Sequence, residues 1–283
     1  KIDSIVDHKH QMAAYCGLGY MDTPAYPEAY RDVLVMGNLH GSCLNVDKLE
    51  RRGSTYHATG QPDLLSAHDV WFMPVVQKIG PDGCLYILDW YDRFHCYQDA
   101  SADPAGVDRG HGRLYRLVYG QRPEPRTNLG GESNAGLVKA LGDPNVMVRE
   151  QATRLLGERN CRDVIPALEQ LVSASDTPMK QRMQAMFALI SGHALSVETA
   201  IKLCDHDDAA VRAWAVRGGA RLYPDSKPLA DKVAALAADS SADVLLQVAI
   251  AAGKLKELDR LAIWVTVLAH SGDDPLIPHI VWQ

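Results

Sequence analysis

Two different patterns of apolar and polar positions divide the chain. Up to about Gly120, short runs alternate apolar and polar residues at the two-residue period of a strand: 12–20, 32–37, 43–49, 54–58, 84–90 and 112–119. Turn residues separate them, and Gly80-Pro81-Asp82-Gly83 places a Pro-Asp-Gly turn directly before one run. From about Asn134 onward, Ala, Leu, Val and Arg recur at the three- and four-residue spacing of amphipathic helices. Between the two patterns, residues 121–132 hold two prolines and two glycines and read as a linker.

The helical half repeats itself. Asp143, Val148, Arg149 and Ala152 return as Asp176, Gln181, Arg182 and Ala185, and again as Asp207, Val211, Arg212 and Ala215. Asp243 and Val244 repeat the phrase more loosely, and Asp274 with Ile277 begins it once more. With Val148, Gln181, Val211, Val244 and Ile277 as the register, the steps are 33, 30, 33 and 33. In each phrase the Asp is expected to cap a helix whose apolar residues line one face. Partner helices are expected at 163–172, 197–204 and 228–236. One such pair cannot cover its own apolar face, so neighbouring pairs must stack. These residues resemble HEAT repeats, with four fairly full units and the start of a fifth, and the resemblance implies a scaffold that docks proteins. Arg149, Arg182 and Arg212 recur with the period, which predicts a ladder of salt bridges to neighbouring aspartates.

Composition narrows the function classes. The chain has 283 residues, 47% apolar and 23% charged, with a net charge of −6. There is no basic stripe, which argues against a nucleic-acid partner. No run approaches the roughly 18 apolar residues of a membrane span. The six cysteines form no C-x-x-C pair and no C-x-x-C-H, so neither a zinc ribbon nor an attached haem is expected within this span. The chain opens on Lys1 and stops at Gln283 inside an apolar pattern, so further chain is expected at both ends, with the helical stack unfinished.

In the first half, Trp71-Phe72-Met73-Pro74, the turn and strand from Gly80 to Tyr91, and Gly112-Arg113-Leu114-Tyr115 look like the closing blades of a glucose/sorbosone dehydrogenase-like β-propeller. Together with the run from Gly37 to Asp47 and the helical repeats behind it, they resemble the multidomain membrane-bound dehydrogenases of planctomycete-type bacteria. The expected fold class is therefore β followed by α: an incomplete propeller of about two blades over 1–120, a linker over 121–133 and a HEAT-repeat solenoid over 134–283. The resemblance implies a periplasmic or secreted redox protein associated with membranes. Its propeller would oxidise a sugar or polyol with pyrroloquinoline quinone and calcium, and haem would lie only outside this segment. The catalytic residues of such enzymes lie in earlier blades, so none is carried over. The competing expectation is a non-catalytic propeller and solenoid that bind carbohydrate or protein.

Two loops carry the candidate site. Asn38, His40, Asn45 and Asp47 follow one expected strand, and Asp89, Trp90, Asp92, Arg93 and His95 hold the comparable place after another. Carboxylate and amide oxygens suit a hard cation such as calcium, and a histidine suits a base toward a hydroxyl. The same residue types also pin turns and neighbouring strands through hydrogen bonds, and both readings stay open at this point. Residues 97–108 carry three aspartates without EF-hand spacing. Arg109 and Arg113 are expected to pair with Asp103 or Asp108, and Trp71, Trp90 and Tyr91 are expected to pack between blades.

Overall fold

The computed structural model describes residues 6, 7, 10, 14–93, 101, 103–108, 110–121, 124, 128–159 and 161–283. The first half forms two sheets. In the first, β1 (Val6–Asp7) pairs parallel with β5, while β2 (Tyr15–Tyr20), β3 (Val33–Asn38), β4 (Cys43–Arg52) and β5 (Thr55–Ser66) make an antiparallel meander, giving the order β1-β5-β4-β3-β2. The second is the meander β6 (Pro74–Ile79), β7 (Leu85–Asp89), β8 (Arg113–Leu117). The expected strands all form, with shifted ends. No alternating run announces β1 or β6, and β5 runs eight residues past the expected end at Ala58. Strand β6 carries Gln77 and Lys78 where an apolar position would have marked it.

The two sheets meet face to face where the sequence supplies glycine. A Cβ on Gly37 would lie 2.1 Å from the Pro74 carbonyl oxygen, and one on Gly17 would lie 2.4 Å from Gln77 Oε1. Strand β6 therefore lies against the backbone of β2 and β3, closer than any side chain allows. Gln77 is fully buried there, and its Oε1 accepts from the Gly37 amide at 3.2 Å. Met21, Val35, Leu44, Phe72, Leu85 and Ile87 fill the core.

The second half is helical: α1 (Asn134–Ala140), α2 (Val146–Glu158), α3 (Ile165–Ser173), α4 (Met179–Ser191), α5 (Val197–Leu203), α6 (Ala209–Leu222), α7 (Lys227–Ala235), α8 (Ala242–Ala252), α9 (Arg260–His270) and α10 (Ile277–Trp282). Helices α2, α4, α6, α8 and α10 begin at 146, 179, 209, 242 and 277, steps of 33, 30, 33 and 35. Ile277 is thus the first residue of its helix, whereas Val148, Gln181, Val211 and Val244 are third, and this lengthens the final step. One continuous core of leucine, valine and alanine runs through all the pairs.

The repeating aspartate caps its helix as expected at α10, where Asp274 accepts from Ile277 N at 2.9 Å, and does something else at α2. The side chain that caps α2 is Asn145, which accepts from Met147 N, and Asp143 sits two residues earlier and accepts from Asn145 N at 2.8 Å. Before α8 this place is held by Asp239, not by the expected Asp243, which lies within the first turn of the helix; Asp239 accepts from Ser241 N at 2.8 Å, and Asp274 also accepts from Leu276 N at 2.9 Å. The aspartate shapes the turn that leads into the helix, as an Asx turn does.

The arginines also depart from a simple ladder. Arg149 donates to the Asp143 carbonyl, Arg182 to those of Ala174 and Ser175, and Arg212 to those of His206 and Asp207, so their shared role is to hold the turn that precedes their own helix. Among the three, only Arg212 also pairs with an aspartate of the next repeat, Asp239.

Burial sets the chemistry of the thiols. It pushes Cys204, in the solenoid core, up to about 12, and burial together with the charge of Asp63 pushes Cys43 up to about 11. Thiolate is the attacking form, so iodoacetamide at about pH 8 is expected to spare both in the native protein and to label half-buried Cys16 before them. Peptide mass mapping of the alkylated protein checks the order.

Candidate functional site

The first group of candidate residues does converge. Asn38 is the last residue of β3, and Asn45 and Asp47 lie on one side of β4 rather than in a loop. A register shift between Leu44 and Val46 brings Asp63 of β5 opposite them. Asn38 Nδ2 donates to Asn45 Oδ1 at 2.9 Å, and Asn45 Nδ2 donates to Asp63 Oδ1 at 2.7 Å. His10 Nε2 and Asp47 Oδ1 are 2.9 Å apart, with both side chains more than nine-tenths buried. His40 lies half-buried in the turn between β3 and β4. Sequence pattern singles out neither His10 nor Asp63. His10 sits close to His8, which was a usable signal, whereas the bulge that presents Asp63 has no signature in the alternation of β5.

The second group is built around an arginine. Asp89 ends β7 and is buried; its Oδ1 accepts from the amides of Met73 (2.7 Å) and Tyr91 (2.9 Å), and its Oδ2 from Arg113 Nε at 2.5 Å. Arg113 Nη2 reaches Asp69 at 3.0 Å, and its guanidinium lies 4.2 Å over the Tyr91 ring. The Trp71 amide and Arg113 hold the Asp69 carboxyl below the usual carboxylate range. Tyr91, with φ at +58°, stacks on Trp71 at 5.1 Å, while Trp90 is 61% exposed. Asp92 is buried, and Arg93 approaches Asp103 at 3.6 Å. Arg113 thus pairs with Asp89 and Asp69, not with Asp103 or Asp108, because β8 places it directly opposite Asp89. Asp108 instead takes His111 and the Gly110 amide. The candidate His95, Asp99, the first aspartate of the stretch 97–108, and Arg109 lie outside the described residues.

The oxygens of these side chains are largely taken up within the protein. Both Asp89 oxygens are engaged by amides and a guanidinium, and Asp47 and Asp63 face a histidine and an amide. Among the described residues no group of three or more His, Cys, Asp or Glu is arranged to hold a metal ion. The arrangement does what hydrogen-bonded polar groups in a sheet do, which is to fix register and strand ends.

A third polar group, unseen in the sequence, joins the two halves. Asp22, in the loop after β2, is buried; Arg149 of α2 donates to its Oδ2, and Lys180 Nζ of α4 lies 2.6 Å from its Oδ1. The Val146 amide donates to the Asp22 carbonyl at 2.9 Å, and Asn145 Nδ2 to the Gly80 carbonyl at 3.0 Å. Lys180 also reaches Asp32, which accepts from the Tyr20 hydroxyl at 2.7 Å. At the far end, the two-residue turn Gly53-Ser54 joins β4 to β5, with Gly53 at φ +59°. Ser54 donates its amide (2.6 Å) and hydroxyl (2.8 Å) to Asp274 at the start of α10, and Arg51 pairs with Asp243 of α8. The first half therefore lies along the N-terminal ends of α2, α4, α8 and α10, where helix dipoles and turn aspartates meet it. A cleft of about 650 Å³ remains at this seam, lined by Asp22, Arg31, Asp32, Arg149 and Lys180.

The clamp predicts a pH dependence. Burial alone would raise Asp274, but the Ile277, Ser54 and Leu276 amides outweigh it and hold the carboxyl low; Asp32 is likewise held low by the Tyr20 hydroxyl and Lys180. A depressed folded-state value contributes stability above the unfolded value near ~3.9 and loses it as pH falls through the folded value. Asp243, raised by burial against the pull of Arg51, works in the opposite sense. Urea unfolding over a series from neutral to acid pH is expected to show stability falling below about pH 4, with a shallower fall for Asp274→Asn.

Residues 1–121 match the model of a domain of unknown function (DUF7133), and residues 134–217 match that of HEAT repeats. No curated protein and no solved structure matches the chain at a significant level. Among the described residues no helix is long and apolar enough to cross a membrane. The chain thus has the layout of a DUF7133 domain followed by HEAT repeats, and HEAT repeats suit protein interaction.

Proposed function

We propose that this chain is a rigid recognition scaffold, in which blades of a β-propeller are locked onto a HEAT solenoid and the whole presents one continuous surface to a protein partner. The observation that carries this reading is the clamp: polar contacts from Asp22 at one end to Asp274 at the other span the solenoid, more than a passive tether needs. The propeller assignment is supported by the two meanders lying face to face, with β2 of one beside β6 of the other. It is supported also by the apolar residues on their outer faces, Leu18 on one and Leu88 and Leu114, cross-strand neighbours, on the other. Such faces are what further blades cover.

The redox activity implied by the resemblance is the competing reading, and one experiment separates them. Because the resemblance places the catalytic residues in earlier blades, the protein translated from the full reading frame is titrated calorimetrically with calcium chloride to millimolar concentration and with pyrroloquinoline quinone, then assayed for dye reduction across a panel of aldoses and polyols. The scaffold reading predicts no saturable heat and no turnover. Saturable uptake of quinone with calcium-dependent dye reduction would overturn it.

A further inference from the structure

One position of the solenoid repeats a chemistry that neither the core nor the clamp uses. The sixth residues of α2, α4, α6, α8 and α10 are Gln151, Gln184, Trp214, Gln247 and Trp282. Each is a planar side chain that carries an N–H donor. The seventh residues of the first four helices, Ala152, Ala185, Ala215 and Val248, are fully buried, whereas none of the sixth is. The ninth residues, one turn further on and on the same face, are Arg154, Phe187, Arg217 and Ile250. The polar contacts that clamp the first half fall on the first turn of these helices, at Val146, Arg149, Lys180 and Asp243, so this face begins beyond them.

Contacts within the protein leave the donors of this row facing solvent. Thr153 of α2 donates its hydroxyl to Gln184 Oε1 at 2.7 Å, and Arg154 Nε donates to Gln151 Oε1 at 3.1 Å, so both amide oxygens are taken. Nε2 of Gln151, Nε2 of Gln184 and Nε1 of Trp214 stay accessible and have no acceptor among the described residues. Trp264 differs, its indole N–H being spent on the Ala249 carbonyl at 3.0 Å. Phe187 meets the Trp214 ring edge-on, with centroids 4.6 Å apart, and the Arg217 guanidinium lies 4.8 Å over the same ring. Tryptophan and arginine are enriched among the residues that carry most of the binding energy where proteins meet. Charge adds direction. Arg154 is paired with Glu158 at 2.7 Å, but the exposed Arg217 and Arg221 are paired with no carboxylate among the described residues.

We propose that this face binds an extended, acidic peptide segment of a partner protein, laid across the helices from repeat to repeat. The inference rests on the scaffold reading and names the surface and the chemistry of the partner. A row with one donor per helix suits a chain whose backbone carbonyls are free, as those of an extended segment are; a helix has spent its own on itself. Packed helices stand about 8–10 Å apart, and three residues of an extended chain rise about 10 Å, so every third carbonyl meets a donor. Trp214 and Phe187 offer rings to an apolar side chain, and Arg217 and Arg221 take a carboxylate. The chain carries −6 overall, so an acidic segment is attracted here and repelled elsewhere, which fixes where it lies.

The test pans a random dodecapeptide library, displayed on phage, against the full chain held on a support. The unaltered chain is expected to enrich peptides of net negative charge. Arg217→Glu combined with Arg221→Glu is expected to enrich peptides of net positive charge, a reversal that misfolding cannot produce. The enriched acidic peptides are then made synthetically and their binding measured by fluorescence anisotropy. They are expected to bind about tenfold more weakly to Trp214→Phe combined with Gln184→Met, which keeps a ring and a chain of similar size and removes two donors. No enrichment over the bare support, selection unchanged by the charge reversal, or undiminished binding to the variant lacking the two donors would overturn the proposal. Peptides held by another surface would overturn it and leave the scaffold reading standing, whereas quinone-dependent turnover would overturn that reading itself.

Discussion

Replacing Asp22 by Ala is expected to cost about 3–5 kcal/mol, the loss seen when one member of a buried ion pair is removed. The reason lies in what remains. Arg149 keeps its place in α2, with its side chain 4% exposed, and loses the carboxylate it is paired with, while Lys180 loses one of its two. The Val146 amide still reaches the Asp22 carbonyl, which survives the substitution, so the loss isolates the charge. Urea unfolding of wild type and variant, followed by the fluorescence of Trp71 in the first half and of Trp264 in the second, reads both the size of the loss and where it falls. Coincident transitions in the wild type and separated ones in Asp22→Ala are the expected pattern. A cost below about 1 kcal/mol, typical of a surface pair, would mean that the halves do not depend on this contact.

Gly37→Ala is the second large effect. The added Cβ would lie 2.1 Å from the Pro74 carbonyl oxygen and 2.7 Å from Gln77 Nε2, and the first of these is backbone that cannot swing aside. The sheets must separate locally, and Gln77 then loses its bond from the Gly37 amide in a fully buried place. Overpacking of this kind costs about 1–3 kcal/mol and sometimes more, and the lost hydrogen bond adds to it. Denaturant midpoints compare it with Gly110→Ala, where a Cβ meets nothing closer than 3.6 Å and little change is expected.

These two predictions rest on features of different legibility. The helical pairs could be read because each repeat announces itself locally, through the Asp, the Arg three residues into the helix and the apolar spacing. The turn at Gly80 was equally local. The clamp was not, because Asp22 and Arg149 are 127 residues apart and Ser54 and Asp274 are 220 apart, and no spacing rule links them. Strand β6 was hidden because it packs through glycines opposite it rather than through its own apolar side chains.

The candidate site was legible in part. Asn38, Asn45 and Asp47 share one cluster because strand alternation puts the last two on one side of β4. The grouping around Asp89 was incomplete because its partner is Arg113, across a strand pair, and that pairing depends on the register of β8. The aspartates of the repeats were legible as turn residues, but their task varies: Asp274 accepts from the first amide of α10, whereas at α2 the capping side chain is Asn145, two residues after Asp143.

The first half is held along the solenoid and does not swing on its linker. Spin labels on Glu50→Cys, near the tip of the β4–β5 hairpin, and Asp273→Cys, beside the Asp274 clamp, test it most directly by pulsed electron paramagnetic resonance, in a background with Cys16 and Cys96 replaced by Ser. Both labelled positions are exposed. The account predicts one narrow distance distribution at neutral pH that broadens when Asp274 is replaced by Ala. A broad distribution in the unaltered clamp, unchanged by Asp274→Ala, would contradict it.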